Sequence, residues 1–140
     1  MECPLGRCLA ASLDAPDGCG NCRLQKHQFP EIEVFETASR GHGLRLKQSV
    51  SQGTMVAEYL GEVITPEECL NRMQQMDASD DFYFASLGGG LVLDALNMGS
   101  EARFANHSCE PNAELQKWSV LGEWHIALVT TRDVEEGEEV

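Results

Sequence analysis

Seven short runs of apolar, β-branched and aromatic residues predict a chain built mostly of strands. Turns that contain glycine separate several of these runs, as is typical of small β domains. The predicted strands cover residues 31–37, 44–47, 54–60, 82–87, 91–95, 113–120 and 123–130. The pattern therefore indicates a mainly β fold.

One helix is predicted after Thr65, where a capping residue, a proline and an acid follow at the spacing of a helix start. Pro66 would occupy the first helical position, and Glu68 stands three residues after the cap, as in a capping box. The apolar residues that follow at three-residue spacing are Leu70, Met73 and Met76. We expect the methionine side chains of this helix to lie in the core.

Length and charge limit the functions that the chain can have. A chain of 140 residues is enough for one domain. Its net charge of -13 argues against direct binding to nucleic-acid phosphates and favours a basic partner such as a peptide. The alternative is that the acidic residues only keep the surface soluble. Neither a signal peptide nor a membrane span is evident, so we expect an intracellular protein without a membrane partner.

Cysteines are concentrated near the start of the chain. Four of the six lie in the first 22 residues, with the spacing C-x4-C-x10-C-x2-C. They are Cys3, Cys8, Cys19 and Cys22. The CxxC pair can place two thiolates on one Zn²⁺, and residues 9–18 are too poor in apolar side chains to hold together otherwise. Zinc binding is therefore predicted, with free or oxidised thiols as the alternative.

Two further segments carry polar groups and glycines between strands. Residues 103–112, RFANHSCEPN, contain an Arg, two Asn and a His, and Gly41-His42-Gly43 follows a predicted strand directly. Two glycines around one residue let the backbone bend sharply and let a ligand approach it. Taken alone, a hairpin turn explains the glycines as well as a binding loop does, and Asn106 and His107 suit an ordinary loop.

The combination of motifs is more informative than any one of them, because six segments occur in a fixed order. They are RGHGLR (40–45), AEYLGEVI (57–64), DFYFASL (81–87), VLDA (92–95), RFANHSCEPN (103–112) and ELQKW (114–118). In this order they resemble the SET domain of protein lysine methyltransferases. The resemblance covers nearly all of residues 29–140, and QKW looks like the histone lysine-36 branch. Residues 1–28 look like the second half of the associated-with-SET zinc segment.

The resemblance implies a fold and a cofactor. The fold would consist of small antiparallel sheets with a short helix around a pseudoknot, in which the C-terminal segment threads through a preceding loop. The cofactor would be S-adenosylmethionine, whose pocket needs amide-type donors and acceptors, an imidazole and open backbone. By resemblance, the residues that contact it would be Gly41, His42, Gly43, Tyr83, Arg103, Asn106 and His107. For Arg103, an ion pair that braces the pseudoknot is an equal alternative.

Catalysis would depend on a narrow channel that holds the substrate lysine neutral and aligned. Apolar and tyrosyl walls lower the pKa of a lysine by desolvation, and phenol oxygens orient its amine. The candidate catalytic residues are Tyr59 and Tyr83. Tyr59 could instead be a core tyrosine of its strand.

Two departures from the family pattern affect these expectations. His42 stands where the branch usually has Trp, which puts cofactor affinity in question. Family members continue past an acidic turn like residues 134–140 into a strand with a second active-site tyrosine, and often into cysteines that bind zinc together with the residue matching Cys109. We therefore expect residues 1–140 to represent a truncated SET domain that does not turn over alone.

The function implied by the resemblance is transfer of methyl groups to a lysine of a histone tail or nucleosome, in nuclear chromatin. Two other functions stay open on the sequence alone. One is a non-catalytic SET-like module that binds a basic tail or another partner. The other is a zinc-dependent structural domain without cofactor.

Overall fold

Eight strands, one α-helix and one 3-10 helix form the part of the chain that the computed structural model describes, residues 22–77 and 82–140. The strands are β1 Ile32–Glu36, β2 His42–Leu46, β3 Met55–Glu58, β4 Glu62–Ile64, β5 Phe84–Gly88, β6 Leu91–Asp94, β7 Ala113–Val120 and β8 Glu123–Thr130. They pair antiparallel in three small sheets, β1-β2, β3-β8-β7 and β4-β6-β5. Each of the seven predicted strands overlaps one of these. Strand β4 was not predicted, since only one of its three side chains is buried.

Branched aliphatic side chains from different sheets meet in the main core. Leu44 of β2, Val56 of β3 and Ile126 of β8 are at most 2% exposed. Burial of such a side chain contributes about 1.5–3 kcal/mol. A second cluster joins Leu24 to the outer side of the β3-β8-β7 sheet, and Trp118 packs against it. Residues 22–29 are thereby attached to the domain that follows them.

Helix α1, Pro66–Gln75, starts as predicted but buries a different face. The Thr65 Oγ1 accepts a hydrogen bond from the Glu68 amide at 3.2 Å, which confirms the cap. The expectation was wrong for Met73, which is 43% exposed, whereas Met76 at the C-cap is half-buried and Cys69 is the buried residue of the helix. With 3.6 residues per turn, the inner face is centred near Cys69 and Met76, and Leu70 points away from it.

Ion pairs from Arg72 explain why this helix face turns inward. Its guanidinium contacts the carboxylates of Glu62 at 2.7 Å, Glu68 at 2.9 Å and Asp94 at 2.7 Å. The Asp94 side chain is only 3% exposed and also accepts a hydrogen bond from the Leu96 amide at 3.0 Å. Since a buried carboxylate needs such partners, this network fixes α1 on the β4-β6-β5 sheet.

The C-terminal segment, residues 134–140, runs beside β2 and contacts the polar loop, residues 105–112, that precedes β7. The Val140 amide donates to the Leu44 carbonyl at 2.8 Å. On the other side, the buried Asn112 side chain donates to the Glu139 carbonyl at 2.7 Å and to the Glu138 carboxylate at 2.9 Å. The segment is thus held between a strand and a loop. The resemblance implied such a position for the C-terminal segment.

Candidate functional site

The glycine turn, residues 37–43, leads into β2, and its two glycines serve different purposes. Gly41 has a φ of +65° and its carbonyl accepts from the Thr37 amide at 2.7 Å, so the turn uses the left-handed region. Gly43 does not adopt a positive φ. A Cβ on it would lie 2.8 Å from Thr37 Cγ2 and 2.9 Å from Glu139 Oε1, so a side chain here would displace these two neighbours.

Two hydrogen bonds join this turn to the polar loop. The Asn106 side-chain amide donates to the His42 carbonyl at 3.0 Å and to the Glu139 carboxylate at 3.0 Å. The Arg40 guanidinium donates to the His107 carbonyl at 2.8 Å. The turn and the loop, which lie more than 60 residues apart in sequence, therefore meet at one place.

A chain of ring contacts leads from this place toward the tyrosines. The 3-10 helix Glu101–Phe104 places the Phe104 ring 5.5 Å from the His42 ring. The Arg103 guanidinium lies 4.8 Å from the centre of that phenyl ring and 5.8 Å from the centre of the Tyr83 ring. Cation–π contacts of this kind favour a fixed Arg side chain.

Arg103 is also held by backbone oxygens. Its guanidinium donates to the carbonyls of Ala95 at 3.0 Å and Leu96 at 3.1 Å. The residue thus ties the end of β6 to the 3-10 helix through hydrogen bonds to carbonyls.

Tyr59 follows β3 and is only 7% exposed, with its hydroxyl directed at the main chain of the other tyrosine. The Tyr59 hydroxyl donates to the Tyr83 carbonyl at 3.0 Å. Burial, followed by the negative charge of Asp94, raises the pKa of the Tyr59 phenol to about 12. The phenol therefore keeps its proton at neutral pH and acts as a donor.

Two open clefts lie next to these groups. One, of about 350 Å³, is lined by Tyr59, Asn106 and His107 together with apolar groups that include Leu115. The other, of about 270 Å³, lies beside Asn106, Asn112 and the C-terminal segment. The clefts share Asn106 and its neighbours in the polar loop, so an elongated ligand could extend along both.

A family model settles the relationship of the chain. The model described as the SET domain matches residues 41–140. The chain belongs to the SET-domain family.

Curated relatives of this SET domain are histone methyltransferases by name. Histone-lysine N-methyltransferase ash1 of Drosophila melanogaster is 44% identical over 135 residues, which are 95% of this chain and 6% of the relative. The human histone-lysine N-methyltransferase, H3 lysine-36 specific, is 40% identical over 138 residues, 97% of this chain and 5% of the relative. The chain thus spans about a twentieth of the length of these proteins.

A solved structure supports the fold independently. The structure described as ctPRC2 in an autoinhibited conformation bound to S-adenosylmethionine superposes with a TM-score of 0.81 at 28% identity. The match covers 88% of this chain and 16% of that one. The expected SET-domain fold of small antiparallel sheets with a short helix is confirmed for the residues described.

The structure places most of the predicted site residues near one another and adds residues that were not predicted. Hydrogen bonds bring Gly41, His42, Gly43, Asn106 and His107 together, and contacts from this place lead to Arg103, Tyr83 and Tyr59. Sequence reasoning gave no role to Glu139, which is separated from Asn106 by 33 residues and lies in no local pattern. Arg40 was part of a quoted motif but was also given no role.

Most of the predicted zinc ligands cannot be placed. Cys3, Cys8 and Cys19 lie outside the described residues. Cys22 is buried and Cys109 is exposed. Over residues 22–77 and 82–140, no three His, Cys, Asp or Glu side chains are grouped closely enough to hold a metal ion. Over the same residues, no helix has the length and hydropathy of a membrane span.

Proposed function

We propose that the protein is an S-adenosylmethionine-dependent methyltransferase that modifies a lysine of a histone tail, of the H3 lysine-36 type. The observation that carries the proposal is the hydroxyl of Tyr59, held at the Tyr83 carbonyl next to a cleft that Asn106 and His107 also line. The names of both relatives point to the same reaction, and the name of the human relative points to the same histone lysine.

The donor set fits the proposed cofactor. S-adenosylmethionine, when bound, supplies an electrophilic methyl group that passes to the lone pair of an amine. The polar loop and the glycine turn offer amide, imidazole and main-chain groups, which suit an adenine edge and an amino-acid head group. Asn106, His107 and residues 41–43 would hold it, with Tyr83 and Arg103 alongside.

The reaction requires the substrate lysine to arrive without its proton. A cleft with apolar walls favours the neutral amine because desolvation penalises the ammonium form. Leu115 and Leu128 supply such walls, and Tyr59, whose phenol keeps its proton at neutral pH, also lines this cleft. The hydroxyl can orient an amine, and alignment is the main contribution that a protein makes to a displacement of this kind.

Charge supports a histone tail as the substrate. The chain carries 23 acidic and 10 basic residues, and a net charge of -13 attracts a basic segment. A substrate in nucleosomes implies a nuclear protein associated with chromatin.

We also propose that zinc stabilises the N-terminal region through Cys3, Cys8, Cys19 and Cys22. The spacing of these cysteines supports it, and the buried position of Cys22 suits a structural metal site, which is closed to solvent. Cys109, which is exposed, would take part in a separate site.

The proposal is tested by methyl transfer from radiolabelled cofactor to recombinant nucleosomes. The test uses a full-length chain that continues past Val140 into the expected second tyrosine and cysteine tail, because residues 1–140 are not expected to turn over alone. We expect incorporation into histone H3 that disappears when H3 lysine 36 is replaced by arginine. Incorporation that persists would reject the lysine-36 assignment but keep the activity. Cofactor binding without incorporation into any histone would reject the histone substrate, and binding of histone tails without cofactor binding would favour a non-catalytic module.

A further inference from the structure

The hydroxyl of Ser100 bonds to the main chain on both sides of Tyr59. It donates to the Glu58 carbonyl at 2.5 Å and accepts from the Leu60 amide at 3.3 Å. These two groups belong to the residues directly before and after the tyrosine. A single side chain, 40 residues after Leu60 in sequence, therefore holds the main chain on both sides of Tyr59.

The position of Ser100 makes this use of its hydroxyl unusual. Ser100 is the N-cap of the 3-10 helix Glu101–Phe104, with an extended backbone at φ -84° and ψ 173°. A serine at an N-cap ordinarily accepts from an amide of its own helix. Here the side chain makes no such cap bond, and its hydroxyl contacts the end of β3 instead.

The two Ser100 hydrogen bonds, called the bracket below, lie where strand β3 ends. Strand β3 ends at Glu58, and the Tyr59 amide still donates to the Ile126 carbonyl at 2.8 Å. The next residue, Leu60, is 48% exposed. The orientation of the Tyr59 side chain therefore depends on the hydrogen bonds of the main chain around it and on the bond of its hydroxyl to the Tyr83 carbonyl at 3.0 Å.

The bracket also connects the two halves of the site. The 3-10 helix that begins after Ser100 carries Arg103 and Phe104 and leads to Asn106. Ser100 thus fixes the start of the segment that bears the cofactor groups to the strand end that bears the tyrosine. A shift at Ser100 would change the distance between them.

We propose that Ser100 is a positioning residue for Tyr59, which sets the place of the phenol relative to the cofactor loop. This inference rests on the proposed function, since it assumes that Tyr59 orients the substrate amine. Misplacement of a reacting group by about 1 Å can cost on the order of 100-fold in rate. Loss of one hydroxyl that brackets the residue should cost about 10-fold, because the other two anchors of Tyr59 remain.

The experiment measures methyl transfer by the full-length chain and its Ser100→Ala, Ser100→Thr and Ser49→Ala variants. Ser49 is the matched control, because its hydroxyl also donates once, to Glu135 at 2.9 Å, and accepts once, from the Glu136 amide at 3.0 Å, and neither partner is a residue of the site. We expect Ser100→Ala to lower kcat about 10-fold with the KM for cofactor changed less than 2-fold. Ser100→Thr, which keeps a hydroxyl, should recover most of the rate, and Ser49→Ala should retain the parent rate.

A double-mutant cycle with Tyr59→Phe separates positioning from a general loss of structure. If Ser100 acts through the Tyr59 hydroxyl, Ser100→Ala should lower kcat less than 2-fold in the Tyr59→Phe background. The same 10-fold loss in both backgrounds would overturn the proposal, as would a parent rate in Ser100→Ala.

Amide hydrogen exchange tests the bracket in a way that does not depend on activity. Exchange of the Leu60 amide should accelerate about 10-fold in Ser100→Ala and stay unchanged in Ser49→Ala. Unchanged exchange at Leu60 would overturn the positioning role. A wild-type chain that shows this protection but transfers no methyl group would instead contradict the proposed function.

Discussion

The side-chain amide of Asn106 donates a hydrogen bond to the carbonyl of His42, 3.0 Å away, and so ties the polar loop to the glycine turn. Replacement by Ala removes this bond and the bond to Glu139. We expect the affinity for S-adenosylmethionine to fall by about 1–3 kcal/mol, or about 5- to 150-fold, because polar groups at the site lose their partner. Isothermal titration calorimetry on the full-length chain measures the affinity of the parent and the variant for S-adenosylmethionine.

The control for Asn106→Ala is Asn71→Ala, which removes the same side chain from the exposed surface of α1. It should bind the cofactor with parent affinity. Parent affinity in Asn106→Ala itself would show that the cofactor does not depend on this junction.

Replacement of Tyr59 by Phe should affect both stability and turnover. The change leaves the Tyr83 carbonyl without the hydroxyl that donates to it at 3.0 Å, which costs about 1 kcal/mol in the free energy of unfolding. It also removes the group proposed to orient the lysine amine, so kcat should fall about 10- to 100-fold. Chemical unfolding and steady-state methyl transfer measure the two effects separately. A core tyrosine without a catalytic role would show the first effect and not the second.

The raised pKa of Tyr59 predicts a loss of stability at alkaline pH. The ordinary value of 10.0 applies to the unfolded chain, and burial raises the pKa in the folded chain to about 12. Between about pH 10 and 12 the unfolded state therefore loses a proton that the folded state keeps, so the contribution of this group to stability falls as pH rises. Urea unfolding at pH 9 and at pH 11 should show a smaller difference in Tyr59→Phe than in the parent. Equal differences would contradict the raised pKa.

Local signals in the sequence were sufficient for the strands and the start of the helix. The Thr65 cap and the seven strand patterns depend on residues within a few positions of each other, which sequence alone records. The inner face of α1 was not predictable in this way, because Arg72 is held by Asp94, which lies 22 residues away on β6. The three-residue spacing of apolar residues placed Met73 on the inner face, where the structure has Cys69.

The candidate site, like the helix, was predictable only where the sequence carries a recognisable local motif. The motifs around Gly41 and Asn106 could be matched to a family, so their meeting was implied by the resemblance. Glu139 and Ser100 depend on where the folded chain brings the C-terminal segment and the end of β3, and nothing in their own neighbourhood marks them. Contacts between distant residues of ordinary type require the fold to be known.

An acidic counterpart of the alkaline effect is expected at Glu138. Hydrogen bonds from Arg132 and then Asn112 lower the pKa of this carboxyl to about 2, against an ordinary value of 4.5. Its contribution to stability is therefore present above about pH 4.5 and is lost as pH falls toward 2. The C-terminal segment that it anchors should loosen in acid.

Glu138→Gln should reduce the loss of stability between pH 5 and pH 3, measured by chemical unfolding of the full-length chain. The control is Glu136→Gln, an exposed acid in the same turn. If both variants lose stability with pH as steeply as the parent, the depressed pKa does not contribute to the acid sensitivity of the fold.

Zinc should be required for the attachment of residues 22–29 to the rest of the domain. Cys22 is 2% exposed, and Leu24 beside it packs with Val129 in the second core cluster. Because the affinity of a structural metal site is also folding free energy, Cys22→Ser should lower the zinc content of the full-length chain and its melting temperature together. Cys69→Ala is the control, since Cys69 is buried in α1 and belongs to no predicted metal site. Elemental analysis after exhaustive dialysis gives the zinc content, and equal zinc in the parent and Cys22→Ser would remove this cysteine from the predicted ligands.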